Sequence, residues 1–173
     1  LALSGPPALA DTGARLDQLA GAIDPWLDLR NAHTGETLSG QFFEGTGYAR
    51  TILKDADWHL RDWRQKSAEQ MDIRLFWALA AVRQAVMAEG HDGQIVVLSG
   101  YRTRKTNDML RQAGHGAARN SFHLRAQAVD FVIPGVPVDL IARYMRWLQV
   151  GGIGHYPRNF IHIDTGPERT WIG

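Results

Sequence analysis

Ser121-Phe122-His123-Leu124-Arg125-Ala126-Gln127-Ala128-Val129-Asp130 and Phe160-Ile161-His162-Ile163-Asp164 decide how this chain is read. In the first stretch six residues separate a histidine from an aspartate, and the aspartate sits in the apolar run Ala128-Val129-Asp130-Phe131-Val132-Ile133. A carboxylate is costly to bury there unless a partner offsets it. In the second stretch, strand alternation sets Phe160, His162 and Asp164 on one face and Ile161 and Ile163 on the other. The isoleucines then face the core, and His162 and Asp164 face a cleft. Two histidines and one carboxylate are a common ligand set for catalytic zinc, with the fourth position left to water. The competing account is a pair of histidines satisfied inside an apolar core. The residues alone leave both open.

Around these stretches the pattern is that of an α+β chain. Leu27–Asn31 reads as a strand, His33–Thr37 as a turn, and Ser39–Phe43 as the hairpin partner. Arg50–Gln65 has the spacing of a helix, with Leu60-Arg61-Asp62-Trp63-Arg64 at its end read as a structural ion pair. Asp72 is placed to cap a stronger helix that ends before Gly90, striped by Leu75, Leu79, Val82 and Val86, with Trp77 and Met87 as packing. Gln94–Leu98 is a short continuous apolar run, as in a strand covered on both faces, and it leads into Ser99-Gly100-Tyr101-Arg102. Thr106–Gln112 is a short helix, and Ala113–Asn120 a Gly/Ala-rich loop. Pro137 opens a further helix, and Gly151–Tyr156 and Asn159–Asp164 form two short strands around Pro157. The chain divides into an N-terminal arm, residues 1–26, and one domain, residues 27–173.

Composition narrows the chemistry. At 173 residues, 45% hydrophobic and 21% charged, the chain can bury a core of ordinary globular size. There is no cysteine, so any metal must be held by His, Asp or Glu. A net charge of +1 gives no global argument for nucleic acid or membrane. Positive charge is instead concentrated locally. Tyr101–Arg125 carries Arg102, Arg104, Lys105, Arg111, Arg119 and Arg125 against Asp108, which suits a substrate bearing carboxylates. Aromatics that would stack bases are not interleaved there; a solvated basic face is the bland account, and a basic nucleic-acid-binding domain without metal is a further reading. Ala8-Leu9-Ala10 followed by Asp11 looks like a secretory cleavage site and leads us to expect export. No stretch is long and apolar enough for a transmembrane helix.

Ser99-Gly100-Tyr101-Arg102, Ser121-x-His123, Asp130, Gly152-Ile153-Gly154-x-Tyr156-Pro157 and Phe160–Pro167 with Trp171 together resemble the M15 metallopeptidases. The closest group is one once catalogued as a bacterial domain of unknown function. The similarity runs from about Leu27 to the C-terminus, and it includes His33-Thr34-Gly35-Glu36 and Arg61-Asp62-Trp63-Arg64. It implies a hedgehog/DD-peptidase-like domain, a small antiparallel sheet flanked by helices. It also implies zinc-dependent hydrolysis of peptidoglycan cross-links or stem peptides in the periplasm. Carried over by the resemblance, His123, Asp130 and His162 hold Zn2+, Arg102 stabilises charge on the substrate carbonyl, and Ser121 and Tyr101 help to bind substrate. Many M15 enzymes place the general base three residues before the last zinc histidine. That position here is Asn159, which cannot take a proton from water. Asp164 and His155 are the substitutes, with Asp164 alternatively a carboxylate that only orients His162. A catalytically silent zinc-binding cell-wall module is the second reading.

Overall fold

The computed structural model describes residues 14–173; the expected Ala8-Leu9-Ala10 signal lies outside them. In chain order the elements are α1 (Ala14–Leu19), a 3-10 turn (Ala20–Ala22), β1 (Trp26–Asn31), β2 (Thr37–Gln41), β3 (Phe43–Glu44), β4 (Gly47–Tyr48), α2 (Arg50–His59), α3 (Ile73–Ala88), β5 (Ile95–Ser99) and α4 (Arg104–Gln112). A second 3-10 turn (Phe122–Arg125), β6 (Ala128–Val132), α5 (Val138–Leu148), β7 (Gly152–Tyr156), β8 (Phe160–Asp164) and β9 (Arg169–Ile172) complete the domain. Leu16 and Ala20 are buried in the main core, so this part of the expected arm packs into the domain.

The fold is α+β, but its sheet is larger than the expected small antiparallel one. Seven strands run in the order β2-β1-β5-β6-β8-β7-β9. The pairs β1/β5 and β7/β9 are parallel and the other four antiparallel. Two pairings made by local strand–turn–strand segments, β1/β2 and β7/β8, match the sequence pattern. The parallel pairings join segments through longer connections.

Hydrophobic burial organises the rest. Helix α3 begins where the Asp72 carboxylate accepts the Arg74 N–H at 3.0 Å, capping one of the first-turn donors. Leu75, Leu79, Val82 and Val86 are buried as expected, and so are Phe76, Trp77, Ala78 and Ala80. The helix is therefore buried around more than one face. Trp77 packs edge-on to Phe42 at 4.9 Å. Met87 is 43% exposed and stands outside the packing assigned to it. Helix α2 stops at His59 rather than Gln65, because Leu60 gives its carbonyl to the Tyr101 N–H and the chain then turns through an Asp62–Ser67 bridge. Gly100 fits tightly against that turn. A Cβ there would lie 2.3 Å from the Leu60 carbonyl oxygen. This contact fixes the exit of β5 over the centre of the sheet, where the site lies.

Candidate metal centre and its cleft

Strands β6 and β8 place Asp130 directly opposite His162. Ile161 and Ile163 point into the core and are fully buried, as the alternation demands. His123 comes from the 3-10 turn, whose start is held by the Ser121 hydroxyl accepting the His123 N–H at 3.4 Å. Ala126 ends that turn in a left-handed conformation, φ 55°, which swings the chain into β6. One ligand atom each from His123, Asp130 and His162 lies within 4.8 Å of the others, and no other such group of three occurs among the described residues.

The outer nitrogen of each imidazole is already committed. His123 Nδ1 lies 2.7 Å from the Gly100 carbonyl oxygen, which can only accept, so Nδ1 carries the proton and Nε2 presents its lone pair inward. His162 Nε2 lies 3.0 Å from Asp164 Oδ2, leaving Nδ1 to face Asp130 Oδ1 at 2.7 Å and His123 Nε2 at 3.3 Å. Outer partners of this kind set tautomer and ring angle in metal-binding histidines. A buried carboxylate and two inward lone pairs, with no sulfur donor, fit zinc.

Charge in the site is tightly coupled. Burial pushes the Asp130 carboxyl up, but His123 and His162 outweigh it and hold it well below the usual carboxylate range. Burial lowers the His123 pKa. For His162 burial also acts downward, yet the flanking carboxylates of Asp130 and Asp164 raise it to about 9. A cation held among the three side chains would take the place of that His162 proton. Asp164 is raised by burial but lowered more by His162, Arg169 and the Gly166 N–H, to about 2.

The centre opens on a cleft of about 710 Å³ whose wall includes Ser121, Phe122, Tyr156, Trp171, Arg64 and Arg102. Arg102 donates from Nε to Ser99 Oγ at 2.8 Å and from Nη2 to Asp130 Oδ2 at 2.8 Å. Its Nη1 has no partner among the described residues. Its backbone N–H also bonds the His123 carbonyl at 3.0 Å, which ties it to the turn carrying the ligand.

Four sequence expectations are placed differently. Asp164 does not face the cleft. It is fully buried behind His162, where Arg169 donates to both its oxygens at 2.9 and 2.6 Å and Gly166 N–H donates at 2.9 Å. That is the orienting arrangement rather than that of a base in contact with water. His155 lies on the other face of β7, because Gly154 is the residue opposite His162; its Nε2 is 2.7 Å from Asp139 Oδ1. Tyr101 packs against the core and does not line the cleft. The basic window divides: Arg104, Arg111 and Arg119 line a separate depression with Asp108, and Arg125 stacks over Phe122 at 4.3 Å. Asn159 is exposed in the turn between β7 and β8.

The sequence reading missed two residues. Arg169, in β9, clamps Asp164 and lies over the Phe122 and Trp171 rings at 4.9 and 5.0 Å. Gly100 supplies the carbonyl that sets the His123 tautomer. Neither has a local signature, since each acts through a partner distant in sequence or through its backbone.

A buried His/Asp/His centre at the mouth of a cleft, on an α+β sheet, is the arrangement of a metal-dependent hydrolase. The chain belongs to the M15_2 peptidase family: the family model Peptidase_M15_2, described as "Peptidoglycan L,D-endopeptidase MepK", matches residues 20–171. It is 40% identical over 148 residues to a probable peptidoglycan L,D-endopeptidase MepK of Haemophilus influenzae, covering 85% of this chain and 78% of the relative. It is 38% identical over 146 residues to the peptidoglycan L,D-endopeptidase MepK of Escherichia coli strain K12, covering 84% and 79%. No solved structure matches the chain.

Proposed function

We propose that this chain is a zinc-dependent peptidoglycan endopeptidase that hydrolyses an amide bond between an L and a D centre, outside the cytoplasmic membrane where that substrate lies. The observation that carries the reading is the convergence of His123 Nε2, His162 Nδ1 and the Asp130 carboxylate at the cleft, with both imidazoles locked from behind. Both relatives are named as L,D-endopeptidases. A peptidoglycan cross-link from D-Ala to diaminopimelate joins two D centres, whereas one from diaminopimelate to diaminopimelate joins L to D. The second is the substrate class proposed here.

Zinc held by His123, Asp130 and His162 supplies Lewis-acid polarisation of a carbonyl and a water of lowered pKa. The chain's own residues do the rest. Gly100 and Asp164 hold the two imidazoles in one tautomer. Arg102, anchored through Nε and Nη2, offers Nη1 to charge building on the carbonyl oxygen. Ser121 has a hydroxyl proton free to donate to the peptide, since its oxygen accepts from His123 N–H. Phe122, Tyr156 and Trp171 give the cleft apolar walls that strengthen these interactions by excluding water.

The test is digestion of purified cross-linked muropeptides by the zinc-loaded protein, with products resolved by mass spectrometry. The expected outcome is one new amine and one new carboxylate per cut, released from the diaminopimelate–diaminopimelate dimer and not by the His123→Ala protein. Release of D-Ala–diaminopimelate products alone would overturn the L,D assignment, and no cleavage of either dimer would overturn the reading itself.

A further inference from the structure

In Arg61-Asp62-Trp63-Arg64 three side chains are engaged by groups of the fold, and one guanidinium, that of Arg64, pairs with no carboxylate among the described residues. Arg61 pairs with both oxygens of Glu36 at 2.9 and 3.0 Å and donates to the Trp58 carbonyl at 2.8 Å, the structural ion pair read from the sequence. Asp62 is buried. Its Oδ1 accepts the Arg64 and Gln65 N–H groups at 3.1 and 3.2 Å, and its Oδ2 accepts the Thr103 N–H and hydroxyl at 3.0 and 2.8 Å. Trp63 stacks on His33 with ring centroids 4.8 Å apart.

Arg64 is the remainder. Its guanidinium lies 4.3 Å over the Trp63 ring, on the wall of the metal cleft, and it pairs with no carboxylate among the described residues. The turn that carries it is closed at both ends: Asp62 and Ser67 exchange backbone hydrogen bonds at 2.9 and 3.2 Å, and Lys66 takes a left-handed φ of 51°. Through Thr103, Asp62 also fixes this turn to the segment carrying Arg102. Two arginines thus reach one cleft from a single hydrogen-bonded frame. Arg102 pairs with Asp130 at 2.8 Å, while Arg64 has no carboxylate partner among the described residues. Stacking on an aromatic face restrains the side chain while leaving the guanidinium edge free for planar, bidentate contact with a carboxylate.

We propose that Arg64 is a specificity-determining residue that binds a free carboxylate of the peptide next to the scissile amide. This rests on the endopeptidase reading above. In the cross-link proposed there, the diaminopimelate that contributes the amide nitrogen keeps a carboxylate on the same D-centre carbon. That group lies two bonds from the nitrogen and must accompany it into the cleft. A guanidinium held in advance loses little further freedom on binding it, so the contact contributes to affinity and selects for the anion.

The experiment compares two synthetic diaminopimelate–diaminopimelate peptides that differ only in whether this carboxylate is free or amidated, each with wild-type, Arg64→Ala and Arg64→Lys protein. On the free-carboxylate peptide Arg64→Ala should raise KM by about tenfold to a hundredfold with kcat little changed, as for loss of a hydrogen bond to a charged group. On the amidated peptide the two proteins should match, and Arg64→Lys should recover part of the loss. Zinc content and Tm should equal those of wild type, because the removed side chain is exposed. Equal KM increases on both peptides, or none on either, would overturn this inference while wild-type cleavage upholds the endopeptidase reading. Wild-type protein that cuts neither peptide overturns that reading and this inference with it.

Discussion

Asp164 Oδ2 lies 3.0 Å from His162 Nε2, on the side of the ring away from Nδ1 and the other two ligands. The carboxylate is fully buried and receives Arg169 on both oxygens, so water does not reach it. Asp164→Asn should therefore act through the metal. The amide keeps one acceptor oxygen, but its NH2 replaces the other and it cannot hold both His162 and Arg169 by charge. Zinc affinity should fall about 10- to 100-fold, as for loss of an outer partner of a ligand histidine. A competitive chelator titration measures this, and turnover should recover at saturating zinc. Turnover that stays lost with zinc fully bound would make Asp164 the base after all.

The three ligands should be separately required. His123→Ala, Asp130→Ala and His162→Ala should each purify with little or no zinc by elemental analysis, and full occupancy in any two of them would sink the assignment. Chelation of wild-type protein should also lower its stability, because metal binds only the folded centre. At a free concentration about 1,000 times the dissociation constant, zinc stabilises by roughly 4 kcal/mol. For a chain of this length that corresponds to a fall in Tm on the order of 10 °C when zinc is removed.

What the sequence disclosed was what is local. The Asp72 cap, the apolar run at β5 and the Ile161/Ile163 alternation each depend on neighbours within a turn or a strand, and each stands in the fold. Residue type and alternation left His123, Asp130 and His162 open between a metal site and satisfied core histidines; the family resemblance implied them as one ligand set, and the structure brings the three together. Depth was not legible. Alternation gave Asp164 its face but could not show that Arg169, arriving on a parallel β9, covers it. The side of His155 follows from register: Gly154 pairs with His162, so His155 must point the other way. Register between strands is a non-local property, as is the parallel pairing of β1 with β5.

His59 gives the fold a pH dependence away from the candidate metal site. Its ring is buried, and Nε2 has no hydrogen-bond partner among the described residues. Burial lowers its pKa below 6.5, Arg61 adds to this, and Glu36 opposes it. The unfolded chain therefore takes up this proton first as pH falls. The stability contribution is fully present above pH 6.5 and is lost as pH falls through the lower, folded value. Urea unfolding at about pH 7.5 and about pH 5.5 should show a larger loss for wild type than for His59→Phe. Equal losses would mean that His59 ionises alike in both states.

Arg102→Ala separates a binding from a rate effect at the centre itself. Arg102 is mostly buried and anchored by Ser99 and Asp130, and its Nη1, without a partner among the described residues, is the donor proposed for a substrate oxyanion. Loss of one such donor typically costs on the order of 100- to 1,000-fold in kcat. Zinc should stay bound, since His123, His162 and the Asp130 carboxylate are intact and their outer anchors on Gly100 and Asp164 do not involve Arg102. Arg102→Lys should recover little, because a lysine ammonium cannot span Ser99, Asp130 and the substrate with one planar fork. The measurement is kcat and KM on the diaminopimelate dimer alongside zinc content for all three proteins. A large KM increase with kcat unchanged would place Arg102 with the ground-state contacts to substrate. Loss of zinc would instead mean that the 2.8 Å contact to Asp130 is needed to keep that carboxylate in position.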